Sequence, residues 1–347
     1  MTHGYRAVSW MPFKKRYDFW VVGGILTYIV SFVIATIATQ PDGESLTELQ
    51  ILIRATGTLA FLMLSFVLVI GPLARITPRF RPLLFNRRHL GVATFVIALV
   101  HAALVILWYH GFGTLNPFVS LFASNPNYDA LAGFPFESLG VLALTIMFLM
   151  AATSHDFWNA NLGPGLWKAL HMGVYLAFAL VVAHIALGAL QFEKHVAYTV
   201  LLIVAVLAVV GLQFAGVLAS RRPVDAAADG WLSVGEGAEI DDGTAVIVRP
   251  AEGEAIAVFR HGEEIYAVSN VCRHQAGPLG EGRIVDGCIT CPWHGFQYRM
   301  ADGTSPPPYT EKIATYATRI VEGRVEVSAM PNAPGTPQAP SRLRSAP

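Results

Sequence analysis

Charged residues are scarce in this 347-residue chain. Asp, Glu, Lys and Arg together make up 14% of it, whereas about 25% is usual in soluble domains, and 54% of the residues are hydrophobic. Much of the chain is therefore expected to lie in lipid. Basic and acidic residues cancel to a net charge of zero, and the sequence has no basic patch of the kind that binds nucleic acid, so nucleic acid is excluded as a partner.

A cleavable signal peptide is also lacking. The first twenty residues, MTHGYRAVSWMPFKKRYDFW, contain no short apolar core followed by small residues at a cleavage site. The first hydrophobic segment is therefore expected to stay in the mature protein.

Six apolar segments follow one another in the first 220 residues. A membrane span needs about 20 apolar residues, and five of the six meet that length, the fourth being the shortest. The alternative, a large soluble protein with buried helices, would leave almost no polar surface. The sequence therefore predicts a membrane α-helical bundle of six transmembrane helices. The predicted spans are 19–39, 51–74, 88–109, 136–153, 167–190 and 196–219.

Basic residues predict the orientation of these helices, because loops rich in Lys and Arg stay on the cytoplasmic side. One set of alternate loops contains a single basic residue, Lys194, and Arg54 lies near the start of the second helix. These loops are 40–50, 110–135 and 191–195. Both termini and everything after the sixth helix are therefore predicted to be cytoplasmic, in a multi-pass protein of the cell (inner) membrane. The basic residues on that side are Arg6, Lys14, Lys15, Arg16, Arg75, Arg79, Arg81, Arg87, Arg88, Arg221 and Arg222.

The character of the sequence changes at Trp231. Short β-prone runs such as AVIVRP, AIAVFR and RVEVSA alternate with turns such as DDG at 241–243, which predicts a small all-β domain. The tail is rich in Pro, Ala and Ser and is predicted to be disordered. The predicted division is a cytoplasmic N-terminal segment (1–18), the membrane domain (19–220), a linker (221–230), the β domain (231–330) and the tail (331–347).

Cysteine is rare. The chain has three, Cys272, Cys288 and Cys291, all within twenty residues, and that clustering suits a metal site better than a disulfide framework. Cys272-Arg-His274 and, sixteen residues later, Cys291-Pro-Trp-His294 each offer one thiolate and one imidazole. Two thiolates suit one iron of a [2Fe–2S] cluster and two imidazoles suit the other, but zinc accepts the same ligand set, so the ligand count alone leaves both metals open.

The spacing of the two pairs, the following Gly295 and a proline loop at SPPP (305–308) resemble the Rieske family over about residues 230–330. The resemblance implies a [2Fe–2S] cluster rather than zinc. The implied ligands are Cys272, His274, Cys291 and His294. Cys288 is not at a ligand position and is interpreted as a small buried residue near the cluster.

The sequence departs from the Rieske proteins of respiratory complexes. Those proteins carry an extra cysteine in each loop, joined as a disulfide, where this chain has Gly277 and Trp293. They also carry a serine that donates to a bridging sulfide, where this chain has Phe296, whereas their tyrosine is present as Tyr298. Fewer hydrogen bonds to the sulfurs imply a lower reduction potential, as in the Rieske ferredoxins that shuttle electrons.

The residues after the second loop exclude a Rieske oxygenase. Such an enzyme needs a second, mononuclear iron held by two histidines and a carboxylate. No histidine comes after His294, and the rest of the chain is too short for a catalytic domain.

Three histidines lie inside predicted helices: His101 in the third, and His171 and His184 in the fifth. A histidine in a membrane helix is costly and is therefore a functional candidate, with hydrogen bonding between helices as the alternative. Counted from Arg88 and Lys168 at 1.5 Å per residue, His101 and His184 lie about 20 and 24 Å deep, at one level in the outer half. They are predicted to be the two axial ligands of a haem, since facing histidines on neighbouring helices can supply both.

A second, inner haem is left open. His171 lies about 5 Å deep, close to the cytoplasmic face, and His89 lies near that level on the third helix. His89, however, is at the interface, where a histidine needs no special explanation. The sequence predicts one haem b, and two if His89 pairs with His171.

Three stretches of the membrane domain resemble the ferric reductase-like transmembrane domain: YRAVSW…KKRYD (5–18), NRRHLGVATFVIALVH (86–101) and ATSHDFWNANLGPGLWKALHMGVYLAFALVVAH (152–184). That family includes the haem-bearing membrane subunit of the periplasmic methionine sulfoxide reductase system and the membrane halves of ferric reductases and NADPH oxidases. The resemblance implies that His101, His171 and His184 are haem ligands, whereas His89 does not clearly match. Ferric reductases continue into flavin and nicotinamide domains, but GEGAEIDDG (235–243) has the wrong spacing for a dinucleotide site.

Together these features predict a transmembrane electron-transfer protein, the ferric reductase-like component of an oxidoreductase. A cytoplasmic reductase or ferredoxin would reduce the cluster, and electrons would pass through haem to an outer-face acceptor: a quinone, a ferric chelate, oxygen or a partner protein. Flow in the reverse direction stays open. Two other classes remain as alternatives, a redox or haem sensor and a membrane-anchored Rieske ferredoxin without haem.

Overall fold

The structure is a computed structural model that describes residues 12–40, 46–84, 87–154, 162, 164–192, 196–220, 229–274, 276–293 and 295–343. His294, residues 221–228 of the predicted linker, the first eleven residues and the last four lie outside the described residues. The chain divides into two compact units. One comprises Met11–Gly71 and Asn86–Phe214, and the other comprises Met1–Trp10, Pro72–Phe85 and Ala215–Pro347.

Nine α-helices are formed by the described residues before Asp229. A π-helical turn, Ile106–His110, continues the fourth helix, and a 3₁₀ turn, Pro78–Phe80, precedes the third. The helices are α1 (Pro12–Thr39), α2 (Glu48–Ile76), α3 (Arg81–Leu84), α4 (Arg87–Val105), α5 (Pro117–Ala123), α6 (Glu137–Ala152), α7 (Pro164–Leu187), α8 (Ala189–Phe192) and α9 (Val196–Ser220).

Five of the six predicted spans have the length and apolar composition that a membrane crossing needs. The fourth, 136–153, corresponds to α6, which is apolar but only 16 residues long. The chain is therefore a multi-pass membrane protein, and its sixth crossing stays a prediction. The five stretches among the described residues are Lys15–Thr39, Glu48–Ile76, Arg87–His110, Leu166–Phe192 and Val196–Leu218.

Helix α2 lies in the interior of its bundle. Within its most apolar stretch 61% is buried, compared with 0% in α1 and at most 22% in the other three long helices. Apolar side chains on α1 and α9, such as Phe19 and Phe214, are exposed, as expected of surfaces that face lipid. The packed core consists of Phe61, Leu64, Leu68, Met147, Val174, Ala177, Phe178, Leu202, Ala205 and Val209.

The second unit contains the predicted all-β domain. Its ten strands, among the described residues, pair antiparallel throughout. They are β1 (Trp231–Glu236), β2 (Ala245–Val248), β3 (Ile256–His261), β4 (Glu264–Ser269), β5 (Arg283–Val285), β6 (Cys288–Thr290), β7 (Gln297–Arg299), β8 (Thr315–Val321), β9 (Arg324–Pro331) and β10 (Ser341–Arg342). The larger sheet has the order β1-β9-β8-β4-β3-β2 with β10 beside β4, and the smaller has the order β5-β6-β7.

The smaller sheet begins with a tight hairpin. Asp286 and Gly287, between β5 and β6, both have positive φ (51° and 73°), which is the backbone that a type I′ turn requires. The turn sets the register in which Val285 faces Cys288 and Ile284 faces Ile289. The first cysteine–histidine segment follows β4 of the larger sheet, and the second joins β6 to β7 of the smaller sheet.

The prediction of a disordered tail is wrong for residues 332–343. The backbone N–H of Asn332 donates to the carbonyl of Thr315, that of Gln338 donates to Ala301, and that of Leu343 donates to Glu263. Composition argued for disorder because the tail has few apolar residues. Short extended segments instead gain backbone hydrogen bonds along the sheet, and Leu343 packs against the larger core.

Candidate metal centre and haem-binding histidines

The first cysteine–histidine segment is a tight loop closed by two backbone hydrogen bonds. The N–H of Cys272 donates to the carbonyl of Gly277 (2.9 Å), and the N–H of Ala276 donates back to Cys272 (2.7 Å). Ala276 has a positive φ of 56°, a strained conformation for a residue with a Cβ. The loop therefore returns on itself between Cys272 and Gly277.

The second segment repeats this geometry position by position. The N–H of Cys291 donates to the carbonyl of Phe296 (2.8 Å), and the N–H of Gly295 donates to Cys291 (2.9 Å). The residue four after the cysteine again has positive φ, 73° at Gly295. Glycine adopts this backbone without strain, which is the physical reason for its place there.

The two loops lie against each other. A Cβ built on Gly277 would stand 2.7 Å from the Sγ of Cys291 and 3.2 Å from the indole of Trp293. Cys272 and Cys291 are each 1% exposed and belong to one core cluster, and neither forms a disulfide. Gly277 and Trp293 carry no thiol, so no disulfide joins the two loops at these positions.

His274 lies at the rim of the loops with its ring stacked on Phe296, at 4.8 Å between centroids and 5° between planes. Phe296 in turn contacts Tyr298 and Tyr309. The fold thus buries both thiols in one core cluster and stacks His274 on Phe296 of that cluster. The fourth predicted ligand, His294, lies outside the described residues. Within the described part of the chain no group of three or more His, Cys, Asp and Glu is positioned to hold a metal.

Tyr298 supplies a hydrogen bond to this site. Its hydroxyl lies 3.4 Å from the Sγ of Cys272 and accepts from the N–H of Arg273 (3.0 Å). Burial, together with the neighbouring Cys272, raises the pKa of Tyr298 far above its ordinary value. The phenol therefore keeps its proton and can donate it to sulfur. A donor set of two buried thiols, an imidazole and a phenol hydrogen bond fits an iron–sulfur cluster.

Cys288 stands apart from this set. It is half-buried in β6, and burial raises the pKa of its thiol. A thiol of raised pKa is a poor nucleophile and a poor ligand. The structure thus supports its interpretation as a structural residue.

In the membrane unit, His101 is fixed by helix α2. Its Nδ1 lies 3.0 Å from the carbonyl oxygen of Ile53. A carbonyl only accepts, so Nδ1 carries the proton and Nε2 keeps its lone pair, which is the form that binds iron. The ring also lies against Gly57, where a Cβ would stand 2.8 Å from Cε1.

His184 is held in the same way by the start of α6. Its Nδ1 lies 2.9 Å from the carbonyl oxygen of Phe136, and a Cβ on Gly140 would stand 2.9 Å from that nitrogen. His101 and His184 are also near enough to interact electrostatically. Two neutral imidazoles in the membrane, each with Nε2 available, form a donor set that fits the axial ligation of a haem.

His171 and His89 have different surroundings. His171 stacks on Trp167 (3.8 Å), its Nδ1 lies 3.0 Å from the Trp167 carbonyl oxygen, and its Nε2 lies 3.5 Å from the hydroxyl of Ser154. His89 pairs with Asp18 of α1 at 2.9 Å. The contacts described for these two histidines do not join them, so an inner haem stays a prediction.

Several residues of these sites were not found from the sequence. The carbonyls of Ile53 and Phe136 carry no signal in their side chains. Gly57 and Gly140 do carry one, because glycine in an apolar helix marks a close approach. Asp18 on α1 carried another signal, because a carboxylate near the membrane surface is costly unless it has a partner.

Comparison with known proteins supports both parts. A family model described as "Rieske [2Fe-2S] domain" matches residues 230–317, and one described as "Ferric reductase like transmembrane component" matches residues 56–182. The first range contains all four predicted cluster ligands. The second contains His89, His101 and His171 and ends two residues before His184.

Among curated relatives, the ferredoxin subunit of anthranilate 1,2-dioxygenase from Burkholderia cepacia is 41% identical over 23% of this chain and 75% of its own length. The heme-binding subunit MsrQ of protein-methionine-sulfoxide reductase from Ralstonia nicotianae is 29% identical over 46% of this chain and 68% of its own. MsrQ from Bordetella pertussis is 31% identical over 41% of this chain and 64% of its own. The expected resemblances, the [2Fe–2S] cluster and haem b are thereby confirmed.

Proposed function

Because the chain belongs to the Rieske [2Fe–2S] family in its C-terminal domain and carries a ferric reductase-like transmembrane component before it, we propose that it conducts electrons across the membrane. An electron-transfer role follows from the two families. The proposal concerns the route, the direction and the side of the membrane.

In this route a cytoplasmic reductase or ferredoxin delivers single electrons to the Rieske domain. A cluster held by Cys272, His274, Cys291 and His294 would supply one-electron chemistry, and so would a haem held by His101 and His184. Each electron given up at the cluster would be gained at the haem. An outer-face acceptor would take it there: a quinone, a ferric chelate, oxygen or a partner protein.

One observation carries the proposal most directly: His101 and His184 are both locked by backbone carbonyls into the iron-binding tautomer. Among the described residues neither Nε2 has a hydrogen-bond partner, so both lone pairs could bind a metal. The basic residues at 75–88 support a cytoplasmic position for the loop after α2. The curated names of the relatives, a ferredoxin subunit and a haem-binding reductase subunit, support a partner at each end.

The test uses the purified full-length protein. A redox titration followed by optical and EPR spectra counts the haems and identifies the mixed His/Cys cluster. Stopped-flow mixing of the reduced protein with a quinone, a ferric chelate or oxygen then measures haem oxidation. Haem oxidation followed by cluster oxidation supports the proposed direction. No oxidation by any outer-face acceptor overturns it, slow cluster-to-haem transfer favours a sensor, and absence of haem favours an anchored ferredoxin.

A further inference from the structure

A carboxylate of the Rieske domain is buried beside the cluster loops. Glu281, in the 3₁₀ turn Leu279–Glu281, has a side chain only 7% exposed. Its Oε1 accepts a hydrogen bond from the Nε of Arg75 at 3.3 Å, and the Arg75 side chain is 38% exposed. Arg75 lies in the last turn of α2. A buried carboxylate is costly without a charged partner, and Arg75 is the partner that the structure describes.

The turn that carries Glu281 is connected to the first cluster loop. The N–H of Leu279 donates to the backbone carbonyl of Asn270 (2.8 Å), and the N–H of Gly280 donates to its side-chain oxygen (2.7 Å). Asn270 is two residues before Cys272 and is itself buried. Any displacement of the turn is therefore transmitted to the start of that loop.

The same turn is packed against the second loop. Gly282, the residue after Glu281, lies so close to the carbonyl of Thr290 that a side chain would not fit there. Its missing Cβ would also stand 3.2 Å from the Cδ of Pro292. Thr290 and Pro292 are the two neighbours of Cys291. Glu281 thus lies on a turn that contacts residues beside both cysteines.

Arg75 and Glu281 belong to the same compact unit of the chain, although 206 positions separate them in the sequence. The ion pair therefore joins the segment 72–84 to the turn between the cluster loops within that unit.

We propose that the Arg75–Glu281 ion pair anchors the cluster loops to the segment 72–84 of the same unit, and that this anchor supports electron exchange by the cluster. The second clause rests on the proposed function. Arg75 is a positioning residue in this scheme and touches neither iron centre. Removing its charge takes away the charged partner that the described residues provide for the buried Glu281, so the turn and the segment 72–84 are expected to loosen.

The test compares Arg75→Gln with Arg75→Lys in the full-length holoprotein. Arg342→Gln is the matched control, because Arg342 forms an exposed ion pair with Glu264 at 3.1 Å on a different strand pair. Hydrogen–deuterium exchange is measured over 72–84 and 278–285. Arg75→Gln is expected to raise exchange in both segments together, Arg75→Lys to raise it less, and Arg342→Gln to leave both unchanged. Unchanged exchange in Arg75→Gln overturns the anchor.

Flash photoreduction of the cluster, followed by the rise of ferrous haem absorbance, tests the second clause. Arg75→Gln is expected to slow this phase roughly tenfold, with partial recovery in Arg75→Lys, because small errors in position are costly to rate. Cluster and haem spectra and potentials should be unchanged. Raised exchange with a wild-type rate overturns the positioning role. If the wild-type protein shows no cluster-to-haem transfer, the proposed function fails, while the exchange data still decide the anchor.

Discussion

The imidazole of His101 lies directly against the backbone of Gly57, with so little space that a Cβ there would stand 2.8 Å from Cε1 and 3.0 Å from Nδ1. Gly57→Ala is therefore expected to push the ring aside and break its hydrogen bond to Ile53. Overpacking of this kind costs about 1–3 kcal/mol. The expected result is a lower haem-to-protein ratio and a shifted Soret band, measured by pyridine haemochrome and optical spectra.

Gly91→Ala is the matched control, because Gly91 lies on the helix of His101 and a Cβ there meets nothing within 4 Å. It should bind haem like the wild type. Full haem content and an unshifted spectrum in Gly57→Ala would show that the imidazole is not confined by this glycine.

Separate variants test whether His101 and His184 share one haem. Each is held by a backbone carbonyl in the same tautomer. If both bind one iron, either His→Ala change removes the same low-spin signal, and the double variant loses no more than either single one. His171→Ala is expected to spare that signal, since His171 contacts Trp167 and Ser154. Loss of the same signal in His171→Ala and His101→Ala would contradict the pairing.

The sequence carried the ligand residues of both centres but not the devices that hold them. Cys272 and Cys291 stand out because cysteine is rare, and His101 because a histidine inside an apolar helix is unusual. The backbone carbonyls of Ile53 and Phe136 could not be identified from the sequence, because every residue has a backbone carbonyl. Helix packing determines which carbonyl each histidine contacts. Each of these contacts joins residues 48 positions apart in the sequence.

The tail shows a second limit of sequence reasoning. Its composition describes only how little apolar surface it can bury, and that led to a prediction of disorder. Its backbone groups can still pair with a strand of the sheet, as Ser341 does with Ile265 of β4. Likewise, the sequence does not distinguish Glu281 from an exposed acidic residue. Its burial and its ion pair with Arg75 are seen only in the structure.

Tyr298 is expected to raise the reduction potential of the cluster through its hydrogen bond to the Cys272 sulfur. Tyr298→Phe removes the hydroxyl and leaves the ring. Less compensation of the charge on the reduced cluster should then lower its potential. A bond worth about 1 kcal/mol corresponds to roughly 40 mV in a one-electron couple. Protein-film voltammetry or an EPR-monitored titration measures the change.

Tyr266→Phe is a suitable comparison for that variant, because the Tyr266 hydroxyl donates to the carboxylate of Glu264 in β4. It should leave the potential close to that of the wild type. A Tyr298→Phe protein with an unchanged or higher potential would show that the hydroxyl does not donate to the sulfur.

Leu343 is expected to stabilise the Rieske domain, although it lies close to the end of the sequence. Its side chain packs on the larger core and lies close to Gly237 and Val325, while its N–H donates to Glu263. Leu343→Ala should cost about 1–3 kcal/mol, because a half-buried leucine loses part of the usual burial energy. Thermal loss of the visible circular dichroism of the cluster measures the effect as a lower midpoint.

Arg342→Ala is the control at the neighbouring position: its side chain is 76% exposed, so its ion pair with Glu264 should contribute less than about 1 kcal/mol. Equal midpoints for Leu343→Ala and the wild type would mean that the tail only lies on the domain without stabilising it.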